Sequence, residues 1–421
     1  MFGRGHVEGK GSRPGATRLA LVAGCALALA LPGSAALAQA AKPTAPDVEG
    51  QRLSLNDQEV AATMGKLGLV LTEKTSSEMQ KGWAPPKKAI VFTEGSPQWL
   101  PWLKSAAPNL KYVYFDKGER GPLSKEILAE LADADVQIGG SCSKEILKAA
   151  KNLKVIISAH VGVEGCFSGD TPARLLSNDV LLTNQKRTYG VPIATHAIAM
   201  MLSLQRGLDL YVRMADKEKW VKTPPGRLEY PQGGTMLVVG LGGLGTDVAR
   251  LGNVLGMKII GTRATSREKP DFVDYVGLSS ELPDLVGKAD VVVSAVPLIK
   301  ATAHMFNADI FSRMKKGALF INVSRGGVVD SDALVAALKS GQVGGAGLDV
   351  TEPEPLPPGH PLWHAPNIII TPHMSAHFST DGSVEEPGNH TVEAWAIMRE
   401  NLRRYAAGDR LYSVVDPKLG Y

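Results

Sequence analysis

Only three cysteines stand in 421 residues. So few thiols exclude a disulfide framework as the source of stability, and none falls at metal-ligand spacing, so no metal is expected. Cys142 and Cys166 therefore read as buried structural residues, each acting as a small hydrophobe. Long apolar runs are scarce too. The stretch from Leu19 to Leu31 has 13 residues, too short for a comfortable transmembrane helix, and no other run approaches the required length. A large charge excess is also missing, because 46 Lys+Arg face 42 Asp+Glu, and nothing points to nucleic acid.

The N-terminus departs from this balance. Arg4, Lys10, Arg13 and Arg18 precede the apolar stretch, and Pro32-Gly33 and the small-residue site Ala36-Leu-Ala38 follow it. That order is a secretory signal peptide with cleavage after Ala38, which implies a periplasmic or secreted protein without membrane attachment after cleavage. A misplaced start codon would make the protein cytoplasmic instead. Without residues 1–38, which hold four basic and one acidic side chain, 42 Lys+Arg face 41 Asp+Glu. Val22-Ala-Gly-Cys25 is superficially like a lipoprotein cleavage box, but only six residues separate Arg18 from Cys25 and the apolar run continues past it. Ser12-Arg13-Pro14 lacks the adjacent arginine pair of twin-arginine export. Residues 39–85 read as an extension containing one helix, capped by Asn56 with Glu59 three positions on.

From Lys87 onward, strand and helix patterns alternate. Ala89 to Phe92, Tyr112 to Phe115, Val136 to Ile138, Val155 to Ile157 and Val180 to Leu182 are one set of apolar strands. A second set comprises Met236 to Val239, Ile259-Ile260, Val291 to Val293, Leu319 to Ile321, Gly347-Leu348 and Ile368 to Ile370. Alternation of this kind predicts an α/β protein with two doubly wound parallel sheets. The second set opens with Gly240-Leu-Gly-Gly-Leu-Gly245, placed between a strand and a helix. Gly240 permits the tight turn, Gly242 lets the backbone approach a pyrophosphate, and Gly245 allows close helix packing, so a dinucleotide is expected at the helix N-terminus.

Several further segments follow in order: Val161-Gly-Val163, the helix from Ala194 to Arg206, Val296-Pro-Leu298, INVSRGGVVD, GLDVTEPEPL and IITPH. With these the chain resembles the D-isomer-specific 2-hydroxyacid dehydrogenases from about residue 86 to the C-terminus. The resemblance implies a flavodoxin-like substrate domain over 86–205, completed by 375–421, and a Rossmann dinucleotide domain over 206–374. The active site would lie in the cleft between them, and the assembly would be a homodimer. Gly240, Gly242, Gly243, Leu244, Gly245, Thr262, Arg263, Val296, Pro297, Ser324 and Asp349 would bind the coenzyme, Asp349 through the nicotinamide carboxamide.

The implied reaction interconverts a small 2-oxo acid, such as glyoxylate or hydroxypyruvate, and its D-2-hydroxy acid by hydride transfer. It needs a cation for the carboxylate, a proton donor for the developing alkoxide, and a partner that keeps the donor protonated. Arg325 offers a planar fork of donors that stays charged when desolvated. His373 can pass a proton either way, and Glu354 would fix its tautomer. Val161 and Gly162 would add backbone N–H groups. His160 and Glu164 flank this loop and read equally as substrate contacts or as satisfied loop side chains, while His360, His364 and His377 read as surface residues or as residues backing the site. A formate- or phosphite-type dehydrogenase and a non-enzymatic dinucleotide sensor are the alternatives, although the formate branch lacks the glutamate found here as Glu354. NAD-preferring sites carry an acidic residue about 20 residues past the glycines. Here Arg263 ends that strand, with Arg267 four residues on, so NADP is favoured over NAD.

Overall fold

The computed structural model describes residues 55–93, 97–116, 123–140, 142–167, 170–222, 228–377 and 392–420. The signal segment and the first part of the extension lie outside these residues. Two parallel sheets form the framework. The first contains β1 (Lys88–Phe92), β2 (Lys111–Phe115), β3 (Val136–Ile138), β4 (Val155–Ile157) and β5 (Leu181–Thr183), in the order β2-β1-β3-β4-β5. The second contains β6 (Thr235–Val239), β7 (Lys258–Arg263), β8 (Tyr275–Leu278), β9 (Val291–Ser294), β10 (Ala318–Asn322), β11 (Val343–Leu348) and β12 (Ile368–Ile370), in the order β12-β11-β10-β9-β6-β7-β8.

Every strand expected from an apolar run forms. β8 is additional, because Tyr275-Val-Gly-Leu is too short and too mixed to show a period. β11 begins earlier than its apolar signal, since Val343-Gly-Gly-Ala carries little side chain. In each sheet the strand order reverses once, between β1 and β3 and between β6 and β9. Ligands of such sheets bind beyond the carboxyl ends of the strands at that reversal.

Five helices position the site: α1 (Asp57–Lys66), α2 (Gly190–Arg206), α3 (Leu208–Ala215), α4 (Gly243–Val254) and α5 (Val392–Ala406). α1 starts at the expected cap, where Asn56 Oδ1 accepts from the Glu59 N–H at 3.0 Å and Glu59 Oε2 accepts from the Asn56 N–H at 2.7 Å. Val60 and Met64 on α1 then bury against Ala396 and Ile397 of α5. The opposite side of α5, with Trp395, Met398 and Leu402, packs on β1 and β4 of the five-stranded sheet. α5 is thus covered on both sides, and even Arg399 is buried, ion-paired to Asp57 at 3.0 Å.

α2 ends where the substrate domain is expected to end, at residues 205–206, yet its buried face belongs to the other core. Ala194, Ala197, Ile198, Met200 and Met201 pack with Val238, Val248 and Ile321 of the seven-stranded half. The apolar period of the helix reveals a buried face without revealing which sheet covers it. α3 buries none of its residues among the described chain and leaves Leu208 and Val212 exposed.

Candidate active site

The glycine loop follows β6 directly. Gly240 has φ +98°, and a Cβ there would lie 2.7 Å from the Ala295 carbonyl oxygen, so only glycine fits. At Gly245 the Cβ would come within 2.0 Å of the Gly240 oxygen. Gly242 instead has nothing within 4 Å, leaving that side of the loop open to an approaching ligand. α4 begins at Gly243, four residues earlier than the apolar pattern suggests, and its first-turn N–H groups from Gly243 and Leu244 make no hydrogen bond among the described residues. This cradle fits a pyrophosphate at a helix N-terminus.

Around the cradle, the expected coenzyme residues divide. Thr262 and Ser324 are buried and their hydroxyls are used within the protein. Thr262 Oγ1 accepts from the Gly240 N–H at 3.3 Å, and Ser324 donates to Asn322 Oδ1 at 2.7 Å and lies 2.9 Å from the Ser294 hydroxyl. Both hydroxyls hold the loops around the cradle. Val296 lies against Gly240, and the Pro297 carbonyl accepts from Thr302 at 2.5 Å. Arg263 is different: its Nε is buried without a hydrogen-bond partner. Arg267 is committed to Glu281 at 2.6 Å and to the Tyr275 hydroxyl at 3.1 Å. Hydrogen bonds from Tyr275, the Leu278 N–H and Arg267 hold the Glu281 carboxyl down at about 2.

The expected acid/base residues are gathered by a turn after β12. Asp349, 1% exposed, accepts from the Thr371 hydroxyl at 2.7 Å and from the N–H groups of Met374 and Ser375 at 3.0 and 3.1 Å. Burial favours the neutral acid, but these bonds hold its carboxyl below the usual range. His373 sits inside this turn at φ +53°, donating its N–H to the Asp349 carbonyl at 2.8 Å. Its Nδ1 then meets Glu354 Oε2 at 3.0 Å. Against burial, hydrogen bonds from His373 and the Thr351 N–H and the charges of His373 and Arg325 lower the Glu354 carboxyl. An ionised Glu354 makes Nδ1 the donor, leaving Nε2 as the atom that can take up and release a proton. The expected nicotinamide role of Asp349 is thus joined by a structural one.

A residue passed over in the sequence enters here. His196 of α2 lies 2.9 Å from the Thr371 hydroxyl and 3.7 Å from Asp349. Thr371 donates to Asp349 and so accepts from His196 Nε2. The only sequence signal was a histidine in a mostly apolar helix. His377 donates its backbone N–H to the Met374 carbonyl at 2.9 Å and closes the turn. His360 caps a short helix at Pro361–His364.

The loop after β4 is held from beneath by its carbonyls. Those of His160, Val161 and Val163 accept from the Gln185 N–H, Asn184 Nδ2 and the Cys166 N–H at 3.1, 2.9 and 3.0 Å. The N–H groups of Val161, Gly162 and Val163 make no hydrogen bond among the described residues, and Val161 is exposed. The loop therefore offers donors, as an anion site requires. No hydrogen bond joins Val161 or Gly162 to Arg325, Glu354 or His373.

The cysteines correct an expectation. Cys142 and Cys166 are buried as expected but form a disulfide, with Cα atoms 5.4 Å apart. They follow the neighbouring parallel strands β3 and β4, so two loops leaving the same sheet edge bring together residues 24 apart in sequence. Spacing alone gives no sign of this.

Residues 198–375 match the family model for the D-isomer specific 2-hydroxyacid dehydrogenase NAD binding domain. Over 304 residues the chain is 33% identical to the glyoxylate reductase of Korarchaeum cryptofilum, covering 70% of this chain and 86% of that protein. The chain belongs to the D-isomer-specific 2-hydroxyacid dehydrogenase family. It is also 29% identical to the D-3-phosphoglycerate dehydrogenase of Methanocaldococcus jannaschii, where the match spans 70% of this chain but only 54% of the relative. Among solved structures, the family member from Xanthobacter autotrophicus in complex with NADPH and MES superposes with a TM-score of 0.63 at 26% identity, covering 80% of this chain and all of that one.

Within a 2-hydroxyacid dehydrogenase, the disulfide anchors the helix that follows the donor loop. Reducing it, or replacing both cysteines by serine, is expected to raise KM for the 2-oxo acid by roughly tenfold, since small displacements of a positioned group are costly. Coenzyme affinity should not change. An unaltered KM in fully reduced protein, verified by thiol titration, would show that the loop needs no such anchor.

Proposed function

We propose that the chain is an NADPH-preferring reductase of small 2-oxo acids such as glyoxylate or hydroxypyruvate. The observation that carries this reading is the His373–Glu354 pair at 3.0 Å, with Arg325 close enough to lower the Glu354 carboxyl. Bound NADPH would supply the hydride to the substrate C2. Arg325 and the Val161–Gly162 amides would grip the carboxylate, and His373 Nε2 would hand its proton to the forming hydroxyl. In oxidation His373 becomes the base. The glutamate engaged with His373 argues against a formate-type site, and turnover itself separates an enzyme from a dinucleotide sensor.

His373→Ala is expected to lower kcat about 10²- to 10⁴-fold, the usual worth of a positioned general acid. Arg325→Ala should instead act on kcat/KM, by about 2–5 kcal/mol, and leave coenzyme affinity alone. With its lowered carboxyl, Glu354 stays ionised down to below the usual carboxylate range, so its support of protonated His373 is present at neutral pH and lost as pH falls through that value. Glu354→Gln should therefore lower the reductive kcat/KM at neutral pH, where Glu354 is ionised, and remove the loss that the wild type shows as pH falls through the Glu354 value. Steady-state kinetics with a panel of 2-oxo acids would reject the assignment if His373→Ala turned over like the wild type.

Coenzyme choice rests on Arg263, since Arg267 is tied to Glu281. A 2′-phosphate would give the Arg263 guanidinium its missing partner. NADPH is expected to bind more tightly than NADH, and Arg263→Asp should abolish or reverse that order. Equal Kd values for the two coenzymes in the wild type would contradict this.

The signal-like N-terminus, supported by a buried disulfide of the kind that persists in oxidising compartments, favours general secretory export and folding outside the cytoplasm. The exposed Leu208 and Val212 of α3 suit a contact within a homodimer. Protein isolated from its native host should begin at Gln39 and show twice the chain mass by light scattering. A cytoplasmic protein retaining earlier residues would defeat the export reading, and a monomeric mass the dimer.

A further inference from the structure

We propose that Arg187 is a further residue of the dinucleotide site, reaching the coenzyme pyrophosphate across the bare position Gly243, and that Gly68 of the segment before β1 holds it there. The inference rests on the dinucleotide reading above. Arg187 lies in the connection from β5 to α2, at φ +70°, a conformation uncommon for a residue with a side chain. Its stem lies over the first residue of α4. A Cβ at Gly243 would sit 2.7 Å from Arg187 Cγ and 3.3 Å from its Nε. The missing side chain at 243 is therefore the space that Arg187 fills, and the guanidinium starts beside the unpartnered N–H groups at the head of α4.

The guanidinium itself is poorly matched by protein. Its one hydrogen bond among the described residues is long, Nη1 to the Gly68 carbonyl at 3.4 Å. On that side too the fit is close, because a Cβ at Gly68, which has φ +62°, would lie 2.7 Å from Nη1. The charged group of α4 that the Arg187 charge reaches is Asp247, which Arg250 of the same helix also influences. Burial pushes the Asp247 carboxyl up, and the charges of Arg187 and Arg250 oppose this, but Arg187 forms no ion pair with Asp247. A planar fork with five donors and one long bond, fixed at a helix N-terminus, suits two adjacent phosphates. Gly68 contributes by closing the far side, so the segment before β1 takes part in coenzyme binding without touching the coenzyme.

Fluorescence titration of three ligands tests this: NADPH, ADP as the pyrophosphate-bearing fragment, and adenosine 2′-monophosphate, which lacks the pyrophosphate. Arg187→Gln is expected to weaken NADPH and ADP by about tenfold or more, the scale of a hydrogen bond to a charged group, and to leave adenosine 2′-monophosphate within about twofold of the wild type. Gly68→Ala should weaken ADP in the same direction, because it displaces the guanidinium without altering its charge. Wild-type ADP affinity in Arg187→Gln overturns the proposal, as does an equal loss for all three ligands, which would mark a general distortion. Wild-type ADP affinity in Gly68→Ala removes the holding role. Failure of the wild type to bind NADPH would instead refute the dinucleotide reading itself.

Discussion

The buried carboxylate of Asp349 organises the turn that carries His373. Three hydrogen bonds from residues 371–375 fold the chain after β12 into a turn around it. That turn holds His373 in a left-handed backbone conformation and aims its ring at Glu354. A neutral Asp349 could accept fewer of these bonds, so the depressed carboxyl and the geometry of the acid/base pair support one another. His196 reaches the same hydroxyl from α2, and thereby ties a core helix to the turn.

The two loops are anchored in different ways. The donor loop after β4 fixes its carbonyls through Gln185, Asn184 and Cys166, and keeps its N–H groups toward the open side. The glycine loop instead donates its Gly240 and Leu241 N–H groups to Thr262 and leaves the head of α4 undressed. Arg263 and Arg187 add cations with too few partners. Unsatisfied donors of this kind are costly in an ordinary interior, and here they gather beyond the carboxyl ends of β4 and β6.

The legible parts of this structure were those encoded locally. Apolar runs located the expected strands, the Asn56–Glu59 pair marked the start of α1, and the order of Glu354 and His373 foretold a contact that the structure shows at 3.0 Å. What escaped the sequence was set by neighbours distant along the chain. The Cys142–Cys166 bond depends on two parallel strands lying side by side, and the assignment of α2 depends on which sheet covers it. Arg187 gave no signal at all, because its place is defined by a side chain absent at 243.

The arrangement of α5 bears on the order in which the molecule can form. This helix lies between the five-stranded sheet and α1, so the sheet's core is completed by Trp395, Met398 and Leu402, some 200 residues beyond β5, while its outer side waits for a helix that precedes β1. The seven-stranded half has no such dependence, since its core draws on residues 194–365. During synthesis that half can collapse on its own, whereas the other must keep apolar strands uncovered until residue 402 has emerged. A nascent chain with one half unfinished for so long stays open to holding factors.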